Sequence, residues 1–243
     1  FESNIGLGPA GHMEYLTFNI LGIQGSGKGT QAKFLTSRFN MLYFGAGEEL
    51  RKIIATQNEL GLHIASFLDK GNRVPSELMA DLTKEVVRNY PRNRDILFDG
   101  ICRSMSELAL QEENFKELGL AMPTLIYLDI DKATALERLS LRRMCSKCGH
   151  ILVIDTKDSA SKKQCDLCGG QLIIRNDDQP EAIEKRVSLY FRDTVPVIEY
   201  FREHNRIIEV DGTPSINEVS NELLIKISEL YTSAGREVPG GQS

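Results

Sequence analysis

The chain has 243 residues and a formal net charge of −5, enough for one sizeable α/β core with insertions or for two small domains. The acidic balance speaks against a general nucleic-acid binder, which needs a basic surface to neutralise phosphates. No apolar run approaches the length of a membrane span.

The first residues, FESNIGLGPAGHM, are glycine-rich and unpatterned, and a native start is expected at Met13. Residues 1–12 and 233–243 are read as tails, disordered or appended. No signal-peptide pattern opens the chain. That points to the cytoplasm, where cysteines serve as metal ligands or free thiols more often than as disulfides.

Tyr15 to Leu21 reads as a strand, and Gly22, Gly25, Gly27 and Gly29 then cluster around Lys28. A helical pattern follows over Gln31–Phe39, with Ala32, Leu35 and Phe39 on one face. Strand, glycine-rich turn and helix in that order make a phosphate cradle. Glycines let amide N–H groups converge on an anion, the helix start adds its dipole, and the lysine adds a full charge. Gly22 and Gly27-Lys28 have the G-x-x-x-x-G-K spacing, but Gly29 stands where Ser or Thr is usual, with Thr30 after it. A chance glycine-rich turn is the competing reading, and the flanking strand and helix argue against it.

Further along, a strand is expected over 41–44, a helix from near Glu48, and a second helical segment through Leu68 with Gly71 as its C-cap. Ser76 is expected to cap a helix reaching Val87. Asp95–Asp99 reads as a buried strand ending in an acid, 106–118 as a helix, 124–129 as a strand and 132–143 as a helix. After an unpatterned stretch over 145–174, helices are expected from Pro180 and from Thr194, a strand over 207–210 and a closing helix over 216–230. Five strands alternating with helices predict an α/β fold, a five-stranded parallel sheet flanked by helices. Residues 13–44, 75–142 and 177–232 form its core; 45–74 and 143–176 are insertions.

Cys145-Ser146-Lys147-Cys148 and Cys165-Asp166-Leu167-Cys168 form two C-x-x-C pairs, each followed by a glycine and separated by sixteen residues. Four thiolates at this spacing suit a closed tetrahedral zinc site, structural because protein fills every position. Two disulfides, or four unrelated thiols, are the alternatives. A zinc ribbon could also contact nucleic acid, but the stretch 151–163 carries two acids among its lysines and no interleaved aromatics.

The segments GIQGSGKGTQ (22–31), DGICRS (99–104) and RNDDQPEAIEKR (175–186), with the four-cysteine insertion, resemble the adenylate kinase branch of the nucleoside monophosphate kinases over about residues 16–230. The resemblance implies a P-loop core with a helical insertion that binds the monophosphate and a small zinc-bearing lid. It implies a monomer whose partners are ATP, brought with magnesium, and a nucleoside monophosphate, with neither nucleic acid nor membrane. Lys28 would lie along the transferred phosphoryl group, with Gly25, Ser26, Gly27, Gly29 and Thr30 around the donor phosphates. Arg138 and Leu152 would flank the donor adenine, and Asp99 would hold magnesium through its waters. Arg51 and Arg103 would grip the acceptor phosphate, in a pocket shared with Ala46, Gly47, Val74, Gly100 and Glu107. Arg142, Arg175 and Arg186 would close on both phosphate chains, with Asp177 and Asp178 as hinge-side acids.

The departures from the family pattern cluster at the acceptor. Ala46-Gly47-Glu48 replaces threonine-glycine-aspartate, Ile101-Cys102 replaces Phe-Pro, and Glu107 stands where the family's glutamine pairs with adenine. A carboxylate only accepts hydrogen bonds and suits the N1–H and N2–H₂ edge of guanine. That gives an expectation of a broadened acceptor range, towards GMP; the alternative is that Glu107 points away or accepts only from the adenine amine. Gln24 replaces a proline in the cradle, and Cys102 is expected to be a packed thiol. From a different class, a P-loop and zinc-ribbon protein that senses nucleotides without turnover is the competing reading.

Overall fold

The computed structural model describes residues 15–154, 163–175 and 178–240. In chain order, β1 (Thr17–Leu21) leads into α1 (Lys28–Arg38), and β2 (Leu42–Gly45) into α2 (Ala46–Ala55) and α3 (Glu59–Leu68). Next come α4 (Ser76–Arg88), β3 (Ile96–Asp99), α5 (Met105–Glu117), β4 (Thr124–Asp129) and α6 (Lys132–Leu141). Three short strands follow, β5 (Arg142–Cys145), β6 (Ile151–Val153) and β7 (Leu172–Ile173). The chain closes with α7 (Pro180–Leu189), a π-helical segment (Tyr190–Thr194), α8 (Val195–Glu203), β8 (Ile207–Asp211) and α9 (Ile216–Ser233).

A five-stranded parallel sheet, in the order β2–β3–β1–β4–β8, forms the centre. Each residue of β1 is buried, as a central parallel strand covered on both faces requires. The two-residue side-chain period sorts its apolar groups. Phe18 and Ile20 join Leu97 and Ile126 against Leu35 of α1 and Leu223 and Ile227 of α9. Leu21 joins Phe44, Phe98 and Leu125 on the other side, with Val87 of α4, Phe115 of α5 and Phe201 of α8. No helix among the described residues is long and apolar enough to cross a membrane.

Several boundaries differ from the sequence expectation for identifiable reasons. Helix α1 begins at Lys28 rather than Gln31, because the amides of Thr30 and Gln31 already bond the Gly27 carbonyl. Gly29 is a poor helix former and hides that first turn from pattern reading. Ser76 does not cap α4: Pro75 takes the cap position, and the Ser76 hydroxyl meets that of Ser106 at 3.2 Å. Gly71 does close α3 as expected, with φ +66° and with Gly71 N–H on Leu68 O and Asn72 N–H on Phe67 O.

The helix expected to start afresh at Thr194 instead continues α7 through a widened turn. Pro196 has no N–H, and the Val195 amide reaches back to Tyr190 O, so α7 and α8 join through the π-helical segment. Residues 234–240, expected to be a featureless tail, carry specific contacts. Arg236 pairs with the buried Asp95 at 2.8 Å and lies over the Tyr231 ring, and Arg38 Nη1 donates to Pro239 O at 3.2 Å.

Candidate active site

The carboxyl ends of the five parallel strands share one edge of the sheet, the edge at which open α/β folds bind ligands. Gly22 to Gly27 turn off β1 there, and α1 starts directly from the turn. Gly25, Ser26, Gly27, Lys28, Gly29 and Thr30 therefore share one loop and one first helical turn. The Lys28 ammonium donates to Gly22 O at 2.7 Å and to Ile23 O at 2.9 Å. Burial pulls its pKa down from 10.5 to about 7; Asp99 opposes the shift, while Arg103, Arg186 and Arg142 add to it. Asp99, the last residue of β3, accepts a hydrogen bond from the Tyr43 hydroxyl at 3.2 Å.

On the side of β2, Ala46 and Gly47 open α2, and the Arg51 guanidinium folds back over Gly47, its Nη1 3.3 Å from where a Cβ would stand. Val74 is buried at the approach to α4. Gly100 follows Asp99 with φ +88°, and a Cβ there would lie 2.1 Å from Arg103 Nη2, so the guanidinium rests directly on the glycine.

Glu107 departs from its expected role. It is 5 % exposed, and its oxygens accept from the backbone N–H of Cys102 at 2.9 Å and of Arg103 at 3.1 Å. Burial pushes its carboxyl pKa up, against the Arg103 guanidinium and these two amides. The GMP expectation needs a carboxylate edge turned to a base; here that edge faces the chain's own loop. Cys102 is fully buried, as expected of a packed thiol, and lies outside the cysteine cluster.

Toward β5–β7, the helix expected over 132–143 stops at Leu141, since Arg142 turns extended to pair with Val153. Arg138 and Arg142 therefore leave in different directions. Arg138 donates to Gly212 O at 2.8 Å and Thr213 O at 2.9 Å, beside the cradle, while Leu152 sits on β6 opposite Arg143. Arg142 makes a two-pronged contact with Asp178, whose side chain is 1 % exposed, and Arg186 Nη1 reaches the same carboxylate at 3.3 Å. The Arg175 carbonyl accepts from the Asp178 amide at 3.0 Å. Asp177 lies outside the described residues.

The four cysteine sulfurs lie within 4.8 Å of one another, with Cys145–Cys168 at 3.5 Å and Cys148–Cys165 at 3.7 Å. A disulfide needs about 2.05 Å, so the paired-disulfide alternative falls. Zinc–sulfur bonds of about 2.3 Å in a tetrahedron put the sulfurs about 3.8 Å apart, which these separations fit. The two knuckles repeat one geometry: Gly149 N–H returns to Cys145 O and Gly169 N–H to Cys165 O, with φ +69° and +67°. The Cys148 and Lys147 amides hold the Cys145 thiol down at about 6.

Pattern reading overlooks other residues at this edge. Arg73 joins Arg103 O, Leu189 O and Thr194 Oγ1; it is one arginine in an unpatterned turn, and nothing local marks it. Asn19 Nδ2 donates to Ile101 O at 3.0 Å, and a polar residue inside a strand this apolar is a readable signal. The Ser104-Met105-Ser106-Glu107 spacing is another, since S-x-x-E reads as a capping box. A separate groove of about 650 Å³, lined by Lys132, Leu136, Glu184 and Phe191 among others, contains none of the candidate residues.

A family model for adenylate kinase matches residues 20–206. The adenylate kinase of Methanocella arvoryzae is 34 % identical over 215 residues, covering 88 % of this chain and 100 % of that protein. That of Fervidobacterium nodosum is 34 % identical over 200 residues, 82 % of this chain and 92 % of that protein. That of Pyrococcus horikoshii is 32 % identical over 217 residues, 89 % and 98 % respectively. With a phosphate-cradle turn on a parallel sheet and a four-cysteine lid, the chain belongs to the adenylate kinase family and is a phosphotransferase acting on nucleoside monophosphates.

Proposed function

We propose that the enzyme transfers the γ-phosphoryl group of Mg-ATP to AMP, reversibly, giving two ADP. The observation that carries this is electrostatic: Asp99, Arg103, Arg142 and Arg186 all act on the single ammonium of Lys28. An acceptor phosphate is already an anion, so no base is required. The task is to align two polyanions and offset charge as the phosphoryl group moves.

In this reading Lys28 follows the transferred group while Gly25 to Thr30 wrap the donor phosphates. Arg51 and Arg103 hold the acceptor phosphate, and Arg142, Arg175 and Arg186 bridge the two chains of phosphates. Residues 45–74 carry the acceptor side. Residues 143–176 close over the donor and exclude water, which would otherwise take the phosphoryl group. Arg138 and the Gly212–Thr213 turn border the donor base.

The residues fit both metals of this reading. Asp99 offers a hard oxygen ligand at the cradle, its Oδ2 3.9 Å from where a Cβ on Gly29 would stand. Asp99 would hold magnesium brought with ATP, and the ion would supply positive charge to offset that of the phosphate oxygens. Cys145, Cys148, Cys165 and Cys168 would hold a structural zinc, whose four bonds would fix a subdomain with little apolar interior of its own.

AMP is preferred over GMP on two grounds. The similar proteins are adenylate kinases, and the Glu107 oxygens are committed to backbone amides. Coupled ADP formation with AMP, GMP, CMP and UMP tests the proposal. AMP should give the highest kcat/KM; ADP formation with none of them would overturn the kinase reading, and a GMP preference would overturn the acceptor.

A further inference from the structure

The loop from Gly100 to Ser104 carries Arg103, and its backbone is held from several sides. Ile101 O accepts from Asn19 Nδ2 at 3.0 Å. The N–H groups of Cys102 and Arg103 both end on Glu107. Arg103 O accepts from Arg73 Nη1, and from Thr194 Oγ1 at 3.0 Å. The amides of Cys102 and Arg103 and the carbonyls of Ile101 and Arg103 are thus spoken for, in a region where an unpaired polar group is costly.

Glu107 reaches this position by an unusual route. Ser104 caps α5 by accepting the Glu107 amide at 3.2 Å, and a reciprocal capping box would send the Glu107 carboxylate to the Ser104 N–H. The carboxylate instead extends one and two residues further back, to Arg103 and Cys102. It can do so because Cys102 has φ +54°, which turns its N–H toward the helix start. A proline at 102 could supply neither that φ nor any N–H. A glutamine at 107 would offer one acceptor oxygen where the loop presents two donors.

We propose that Glu107 is a positioning residue that clamps the Cys102–Arg103 backbone and so aims the Arg103 guanidinium at the acceptor phosphate, and that Cys102 and Glu107 work as one coupled pair. The carboxylate does not read the acceptor base. The departures at 102 and 107 from the family pattern are then a single change, a donor gained at one position and an acceptor gained at the other. The assignment rests on Arg103 binding the acceptor phosphate, as set out above.

The test is a cycle of Glu107→Gln, Cys102→Pro and the double variant, each assayed with AMP, GMP, CMP and UMP. Glu107→Gln should raise KM for every monophosphate by a common factor of about tenfold, leave KM for ATP within about twofold, and keep the order of the four bases. The double variant should lose less than the product of the two single losses, because the proline removes the donor that the glutamine cannot satisfy. A selective change of five-fold or more for one base in Glu107→Gln would make Glu107 a base reader and overturn the proposal; so would losses that simply multiply. If Cys102→Pro does not fold, the base profile of Glu107→Gln alone decides. If the wild type phosphorylates no monophosphate, the kinase reading fails separately, and the same cycle read by urea unfolding still decides the coupling, with additive losses overturning it.

Discussion

At Lys28, burial brings an ordinary ammonium down to about 7, so much of it is neutral at pH 8. If Lys28 lines the phosphate cradle as proposed, bound phosphates would add negative charge beside it and raise that value again. Binding of a nucleoside triphosphate should therefore take up protons between about pH 7 and 10. Calorimetry at pH 8 in buffers of different ionisation enthalpy checks this; heats independent of the buffer would refute it. The stability sign follows from the same shift. The unfolded chain binds more protons across this window, so this group's contribution to stability rises as pH rises from about 7 toward 10.5. Gly100 offers a second residue-scale test. Gly100→Ala combines φ +88° with a Cβ 2.1 Å from Arg103 Nη2, and should raise the acceptor KM by roughly tenfold, from a strain of about 1–3 kcal/mol, while sparing that for ATP.

The short strands of the lid depend on their knuckles. β6 and β7 have three and two residues, too few to hold a sheet without a further constraint. Four thiolates around one ion would supply that constraint. The protein should contain about one zinc per chain. A strong chelator should raise hydrogen exchange in 142–153 and 163–175 and cut kinase activity while leaving the amides of β1, β3 and β4 protected. Unchanged exchange in the lid after metal removal would count against a structural site. At the lid's base, Asp178 joins Arg142 and Arg186, side chains only 14 % and 19 % exposed. Asp178→Asn leaves two arginines facing a neutral amide and should cost about 1–3 kcal/mol by urea unfolding.

At the scale of the molecule, Tyr231 and Arg236 meet Asp95, itself bonded to Leu16, where β3 and β1 begin. Asp95, 4 % exposed, accepts from the Leu16 amide, the Tyr231 hydroxyl and Arg236. Truncation after Ser233 removes the only one of these three that carries a charge. It should lower stability by about 1–3 kcal/mol, or several degrees in Tm, with kcat nearly unchanged. A truncated enzyme as stable as the full chain would show that the ion pair is a bystander. Apolar packing carries the sheet's other side: the Phe98 ring lies tilted against those of Phe44 and Phe115, centroids 5.9 and 5.4 Å away, and Phe98→Ala should cost about 3–5 kcal/mol by urea unfolding.

The parallel sheet, the cradle at its edge and the four-cysteine cluster were all legible in the sequence, because each is written in local terms. Strands show as apolar runs, the cradle as a fixed spacing of Gly and Lys, and the cysteine cluster as paired C-x-x-C units. The lid sheet was not legible, since strands of two to four residues carry no clear period and are set by the knuckles. The direction of Arg142 depends on its pairing with Val153, the continuity of α7 with α8 on the Val195 amide reaching Tyr190 O, and the placement of 234–240 on the distant Asp95, and no side-chain period announces any of these. Glu107 marks the boundary between the two kinds of information. Its chemistry as an acceptor of hydrogen bonds was plain from its residue type. Which donors it meets was decided only when the backbone at Cys102 turned to φ +54° and set two amides in front of it, because a carboxylate takes its partner from whatever the fold brings within about 3 Å.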